Sequence, residues 1–101
     1  MKRLDFWKYQ NNAIKEGLKT STIQKYCDLQ VGECFKLNDL EYNGIFKVTS
    51  INRININEIT NEIALKVGYT YKSLLQQEVK KTYKSTNNSE LFYQINFKKV
   101  G

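Results

Sequence analysis

The sequence predicts an α+β fold: a small, strongly bent, barrel-like sheet of mixed or antiparallel strands, flanked by about three helices. Three observations carry this expectation. The first half of residues 45–56 and residues 91–100 alternate apolar and polar side chains as strands do, with Tyr93, Ile95 and Phe97 on one face and Gln94, Asn96 and Lys98 on the other. Residues 71–83 instead repeat apolar groups at helical spacing, through Tyr71, Leu74, Leu75, Val79 and Tyr83. The final strand follows two helices, so it must pair with strands far back in the chain, and a small bent sheet satisfies that need.

The elements follow in order. Residues 6–16 read as a first helix, with Asp5 as N-cap, a partial stripe through Phe6, Tyr9, Gln10, Ala13 and Ile14, and Gly17 as the stop. Residues 19–26, with Thr20, Thr22 and Ile23, predict a strand. Leu29 to Gly32 is a turn, and Glu33 to Leu37 a short strand containing Cys34 and Phe35. Asn38 to Gly44 is a polar, hairpin-like connection. In the long strand 45–56, Phe46 and Val48 set a phase that Ile51, Ile54 and Ile56 break, which predicts a bulge or bend near Asn52 and Arg53. Asn57 is positioned to cap a short helix over 58–66, stopped by Gly68. Thr70 is positioned to cap the helix over 71–83, whose Leu74, Leu75 and Val79 are expected to be buried. Residues 85–90 form an exposed loop.

A chain of 101 residues fits one domain, taken as residues 1–101, and buries enough surface to fold without metal or disulfide staples. Its 41% hydrophobic and 26% charged residues are ordinary for a globular protein. Aromatic residues reach 13%, including seven Tyr and five Phe, and are expected mainly in a β-rich core, with a few available to stack on a base.

The net charge is +6, from fourteen Lys and two Arg against ten acids. Such an excess attracts polyanions. Lys is a point charge suited to phosphate, whereas Arg is the bidentate base reader, so sequence-specific reading of a major groove is not expected. There is no His, and the two cysteines, Cys27 and Cys34, do not have zinc-ligand spacing. Neither a metal site nor another cofactor is expected, and His-based catalysis is excluded. Without an export signal or a membrane-length apolar run, the domain is expected to be soluble and cytoplasmic with reduced thiols.

The most informative stretch is Gly17-Leu18-Lys19-Thr20-Ser21-Thr22-Ile23-Gln24. In a regular strand Lys19 and Ser21 share one face, and Thr20 and Thr22 the other. A bend at the strand start would bring Lys19 and Thr22 to one cleft. A lysine whose pKa is lowered by burial is a base, and threonine beside it a nucleophile. The bland alternative is a Thr-rich strand with a surface lysine.

The wider pattern resembles the ASCH domains of the PUA-like superfamily. The likeness runs over nearly the whole chain: aromatic Phe6-Trp7, then Glu16 to Thr22, Leu29 to Glu33, Ile56 to Thr60, the Gly68-Tyr69 turn, Leu74-Leu75, and Leu91 to Phe97. It implies a small PUA-like β-barrel flanked by helices. The family motif is Gly-x-Lys-x-x-(Glu or Thr)-x-Arg, and within the family the chain most resembles the small acetylcytidine amidohydrolases. That implies a cleft for a modified cytidine, with Lys19 and Thr22 as catalytic partners, Lys19 helping to deprotonate the threonine that attacks the acetyl carbonyl. Thr20, Gln24, Trp7 and Tyr93 complete the candidate ligand-binding set.

The sequence departs from that pattern twice. Gln24 stands where the motif ends in Arg, and Val67 where a glutamate precedes the Gly68 turn. Glu62, one helical turn earlier, replaces that acid only if the helix is rotated or shifted. Losing a positioned acid–base group costs about 100- to 10,000-fold in rate. The expected function is therefore binding of RNA or a modified cytidine nucleoside. The alternatives are an amidohydrolase-like enzyme using Lys19 and Thr22, and a scaffold repurposed to bind a protein partner as inhibitor or regulator.

Overall fold

The computed structural model describes residues 1–4, 8–39 and 41–101, and their side chains except those of 8–11. Its elements are β1 (Lys2–Leu4), α1 (Lys8–Lys15), β2 (Ser21–Gln24), β3 (Cys34–Leu37), β4 (Ile45–Ile54), α2 (Asn61–Val67), α3 (Lys72–Tyr83) and β5 (Phe92–Lys99). A 3-10 turn at Ile56–Glu58 links β4 to α2. The five strands form one mixed sheet in the order β1-β3-β4-β5-β2. Only β1 and β3 run parallel; the other pairs are antiparallel.

The expected late strand is present: β5 lies between β4 and β2 and pairs with both. The sheet is open rather than closed into a barrel, because β1 and β2 stand at opposite edges. At the start of β2, the Thr20 N–H donates to the Lys66 carbonyl at the end of α2, so a helix meets this edge. β1 is an additional strand of only three residues, too short to carry a sequence pattern.

Both faces of the sheet are covered, at least in part. On one, Ile23, Ile54 and Phe92 pack against Ala64 and Val67 of α2 and Leu75 and Val79 of α3. Tyr83, near the end of α3, donates through its hydroxyl to the Ile23 carbonyl at 3.4 Å. On the other, Phe35, Phe46, Val48, Ile95 and Phe97 gather under Ile14 of α1 and Leu29. Phe35, Phe46 and Phe97 form a ring triad with centroids 5.4, 5.7 and 6.0 Å apart, a spacing favourable for stacked and edge-on aromatic pairs.

Several local expectations change. The strand irregularity falls between Val48 and Ser50, not at Asn52 and Arg53. Asn55, not Asn57, caps the 3-10 turn, in a reciprocal box with Glu58. Thr60 caps α2 through the Ile63 N–H, so this helix covers 61–67 rather than 58–66. Thr70 does not cap α3: the N-cap position is Tyr71, which makes no side-chain cap bond. Leu75 and Val79 are buried as expected, whereas Leu74 is 46% exposed, because one residue along a helix turns the side chain by about 100°. The Asp5 cap and the Phe6-Trp7 lead lie outside the described residues.

Candidate ligand-binding face

Lys19 is placed by a helix end on each side. α1 stops at Gly17, whose φ of 77° suits a residue without Cβ. Beyond it, the Leu18 and Lys19 N–H groups both donate to the Ala13 carbonyl, at 2.9 and 3.1 Å. This reversal delivers Lys19 to the C-terminal end of α2. A helix leaves its last four carbonyls without intrahelical partners. Here Gly68, left-handed at φ 100°, donates to Ala64 and Leu65. Thr20 N–H donates to Lys66 at 2.8 Å, and the Lys19 Nζ donates to Val67 at 2.8 Å. All four carbonyls are therefore satisfied.

The helix end favours a cation, but Lys19 is only 2% exposed. Desolvation lowers its pKa to about 7, so at neutral pH the amine is divided between charged and neutral forms, and either donates to Val67.

The strand register sorts the remaining candidates, since directly opposed residues share a face. Ser21 opposes Asn96, which opposes Ser50. Ile23 opposes Gln94, which opposes Asn52. The side chains interlock: Gln94 Nε2 donates to Ser21 Oγ and Asn96 Oδ1, each at 3.4 Å, and Asn96 Nδ2 to Ser50 Oγ at 2.9 Å. This row of amides and hydroxyls borders the helix-covered apolar rows. Beyond it, toward the open end of the same face, Cys34, Lys47 and Lys98 form one row and Arg3, Lys36 and Ile45 the next.

The face is thus graded from apolar under α2 and α3, through amide and hydroxyl, to cationic. The polar row went unread in the sequence because Gln94 and Asn96 alternate with apolar residues as solvent-facing residues do. Gln94 is nonetheless only 6% exposed.

The predicted site residues do not all converge. Thr22 opposes Ile95, so the unbroken alternation of β2 turns its side chain to the opposite face from Ser21, and α2, whose Val67 carbonyl receives Lys19, packs on the Ser21 face. Gln24 and Tyr93 oppose each other on the Thr22 face. There Arg53 stacks over the Tyr93 ring at 4.3 Å and donates to its hydroxyl at 3.2 Å. Thr20 serves through its backbone, giving its N–H to Lys66 and accepting from Phe97. Glu62 does not take the place of the missing acid. Its side chain is 80% exposed and pairs with Lys66 at 3.6 Å, about 140° around the helix from Val67. Trp7 lies outside the described residues. Among the described residues, no three His, Cys, Asp or Glu side chains group as metal ligands, and no helix is long and apolar enough to cross a membrane.

An open mixed sheet with α2 and α3 on one face, and α1 over an aromatic cluster on the other, is a small α+β architecture. The particular fold is that of ASCH domains. The ASCH domain of Lactobacillus crispatus superposes with a TM-score of 0.79 at 14% identity, covering 97% of this chain and 79% of that one. An ASCH protein of Zymomonas mobilis gives 0.73 at 13% identity over 95% of this chain and 65% of its own. A hypothetical protein designated PH0355 gives 0.77 at 14% identity, over 99% of this chain and all of its own. No protein-family profile and no curated sequence matches the chain.

Proposed function

We propose that this chain is an ASCH-type RNA-binding domain that receives a nucleotide at the border between the helices and the amide row beside Lys19. The carrying observation is the hydrogen-bonded set Ser21, Gln94, Asn96 and Ser50, with buried Lys19 two residues before Ser21 in the chain, and a net charge of +6. Amides and hydroxyls match the donor and acceptor edges of a base or the 2′-hydroxyl of ribose. An amine poised near neutrality supplies either a donor or a charge. The likeness to ASCH structures supports the same reading at the level of the fold.

The test is a binding screen of cytidine, acetylcytidine, and short single- and double-stranded RNAs at two salt concentrations, with wild-type protein and Asn96→Leu. RNA binding that weakens at least tenfold in the variant supports the proposal. Absence of RNA binding at low salt overturns it.

One observation favours a second reading. A lysine with a pKa near 7 is suited to act as a general base, as the amidohydrolase-like alternative requires. The placement of Thr22 and Glu62 speaks against it.

A further inference from the structure

The open end of the graded face carries a charge pattern that neither the amide row nor Lys19 explains. Lys47 and Lys98 are directly opposed on adjacent antiparallel strands. Directly opposed residues have Cβ atoms roughly 4.5–5.5 Å apart, and like charges there are unfavourable. Arg3 and Lys36 are register partners on the same face, one row further along. No Asp or Glu occurs within any of the five strands. Among the described residues, none of Arg3, Lys36, Lys47 and Lys98 makes an ion pair, although ion pairs form elsewhere, as at Lys2 with Glu33 and Lys15 with Asp39. Lys47, Lys98 and Arg3 are exposed and Lys36 is half-buried.

We infer that these four residues form a phosphate-binding strip for single-stranded RNA, with the RNA backbone on the strip and its bases directed toward Asn96 and Asn52. The inference rests on the RNA-binding reading and deepens it by naming the strand form and the residues that hold its backbone. Four strands at about 4.8 Å spacing and two rows about 6.7 Å apart give a strip of roughly 14 by 7 Å. That is sufficient for a few consecutive phosphates. A polyanion relieves the opposition of Lys47 and Lys98, which no protein carboxylate in the strands does. The adjoining amide row selects an unpaired strand, because single-stranded bases present their hydrogen-bonding edges whereas those in a duplex are engaged. Lysine predominates over arginine in the strip, which fits phosphate contact with weak sequence preference.

The experiment measures binding of a mixed-sequence 12-nucleotide single-stranded RNA, its duplex, and inorganic polyphosphate between 50 and 200 mM salt. It compares wild type, Lys47→Ala/Lys98→Ala, and Lys80→Ala/Lys81→Ala on α3 as an equal-charge control. Neutralising four phosphates gives a logarithmic salt slope of about −2.8, or roughly 50-fold weakening over that range. The strip variant should fall to a slope of about −1.4 and roughly sevenfold weakening. The control should keep the wild-type slope, and single strand should bind more tightly than duplex. Equal losses in both variants overturn the strip and leave a diffuse basic surface. Intact binding in the strip variant overturns the strip while sparing the amide row. Preference for duplex or polyphosphate overturns the single-strand assignment. Absence of all RNA binding overturns the underlying reading with it.

Discussion

The side-chain nitrogen of Lys19 donates to the backbone carbonyl of Val67 at 2.8 Å, so a lysine from before the first long strand closes the end of a helix 48 residues later. The lysine therefore holds the end of α2 against the chain entering β2. Its pKa near 7, set by desolvation, makes that arrangement sensitive to pH.

In the unfolded chain Lys19 keeps its proton up to about pH 10.5, while the folded protein releases it near 7. Between these values the unfolded state binds more protons, so this residue makes stability rise with pH. Each pH unit contributes at most about 1.4 kcal/mol. Lys19→Met removes the titration and leaves the Val67 carbonyl without its donor. Relative to that variant, wild type should gain about 2 kcal/mol from pH 7 to 9, seen as a rising difference between denaturant midpoints. A difference that stays constant over this range would show that Lys19 does not titrate there.

Acetate release from acetylcytidine should stay at background for wild type, Thr22→Ala and Glu62→Ala alike. The amidohydrolase-like mechanism needs Thr22 beside Lys19 and an acid to protonate the leaving amine. The Thr22 side chain is on the Ile95 face of β2, and Glu62 is solvent-exposed beside Lys66. Glu62→Ala should also change stability by no more than about 0.5 kcal/mol, as exposed helix pairs do. Release above background that disappears in Thr22→Ala would restore the enzyme reading.

What could be read from the chain was set by local physics. The alternation of Phe92 to Phe97, the helical spacing of Leu75 and Val79, and the stops at Gly17 and Gly68 depend on neighbours in sequence. Pairing of the last strand with early strands followed from element order. The opposition of Lys47 and Lys98 depends on register across two strands separated by two helices, which no local pattern encodes. The sequence points to Lys19 but not to its partner: a backbone carbonyl carries no residue-type signature, and Val67 stands out only as the position where a glutamate is missing. Gln94 and Asn96 do not stand out in the sequence, because alternation shows which residues share a face, not whether that face is covered.

Lys98→Glu should act with opposite signs on folding and on binding. In the protein without RNA it replaces a like-charge opposition across β4 and β5 with an opposite-charge pair to Lys47. Cross-strand pairs of this kind are worth about 0.2–1 kcal/mol, so the variant should unfold at a slightly higher temperature than wild type at low salt. The gain should fade as salt screens the exposed pair. RNA affinity should fall at least tenfold, since the strip loses one cation and has a second neutralised by the new carboxylate. Thermal unfolding and RNA titration at 50 and 200 mM salt measure both effects on the same preparations. A residue needed only for the fold would lose stability and binding together. A Lys98→Glu protein that is less stable than wild type, or more stable yet fully able to bind RNA, would remove Lys98 from the interface.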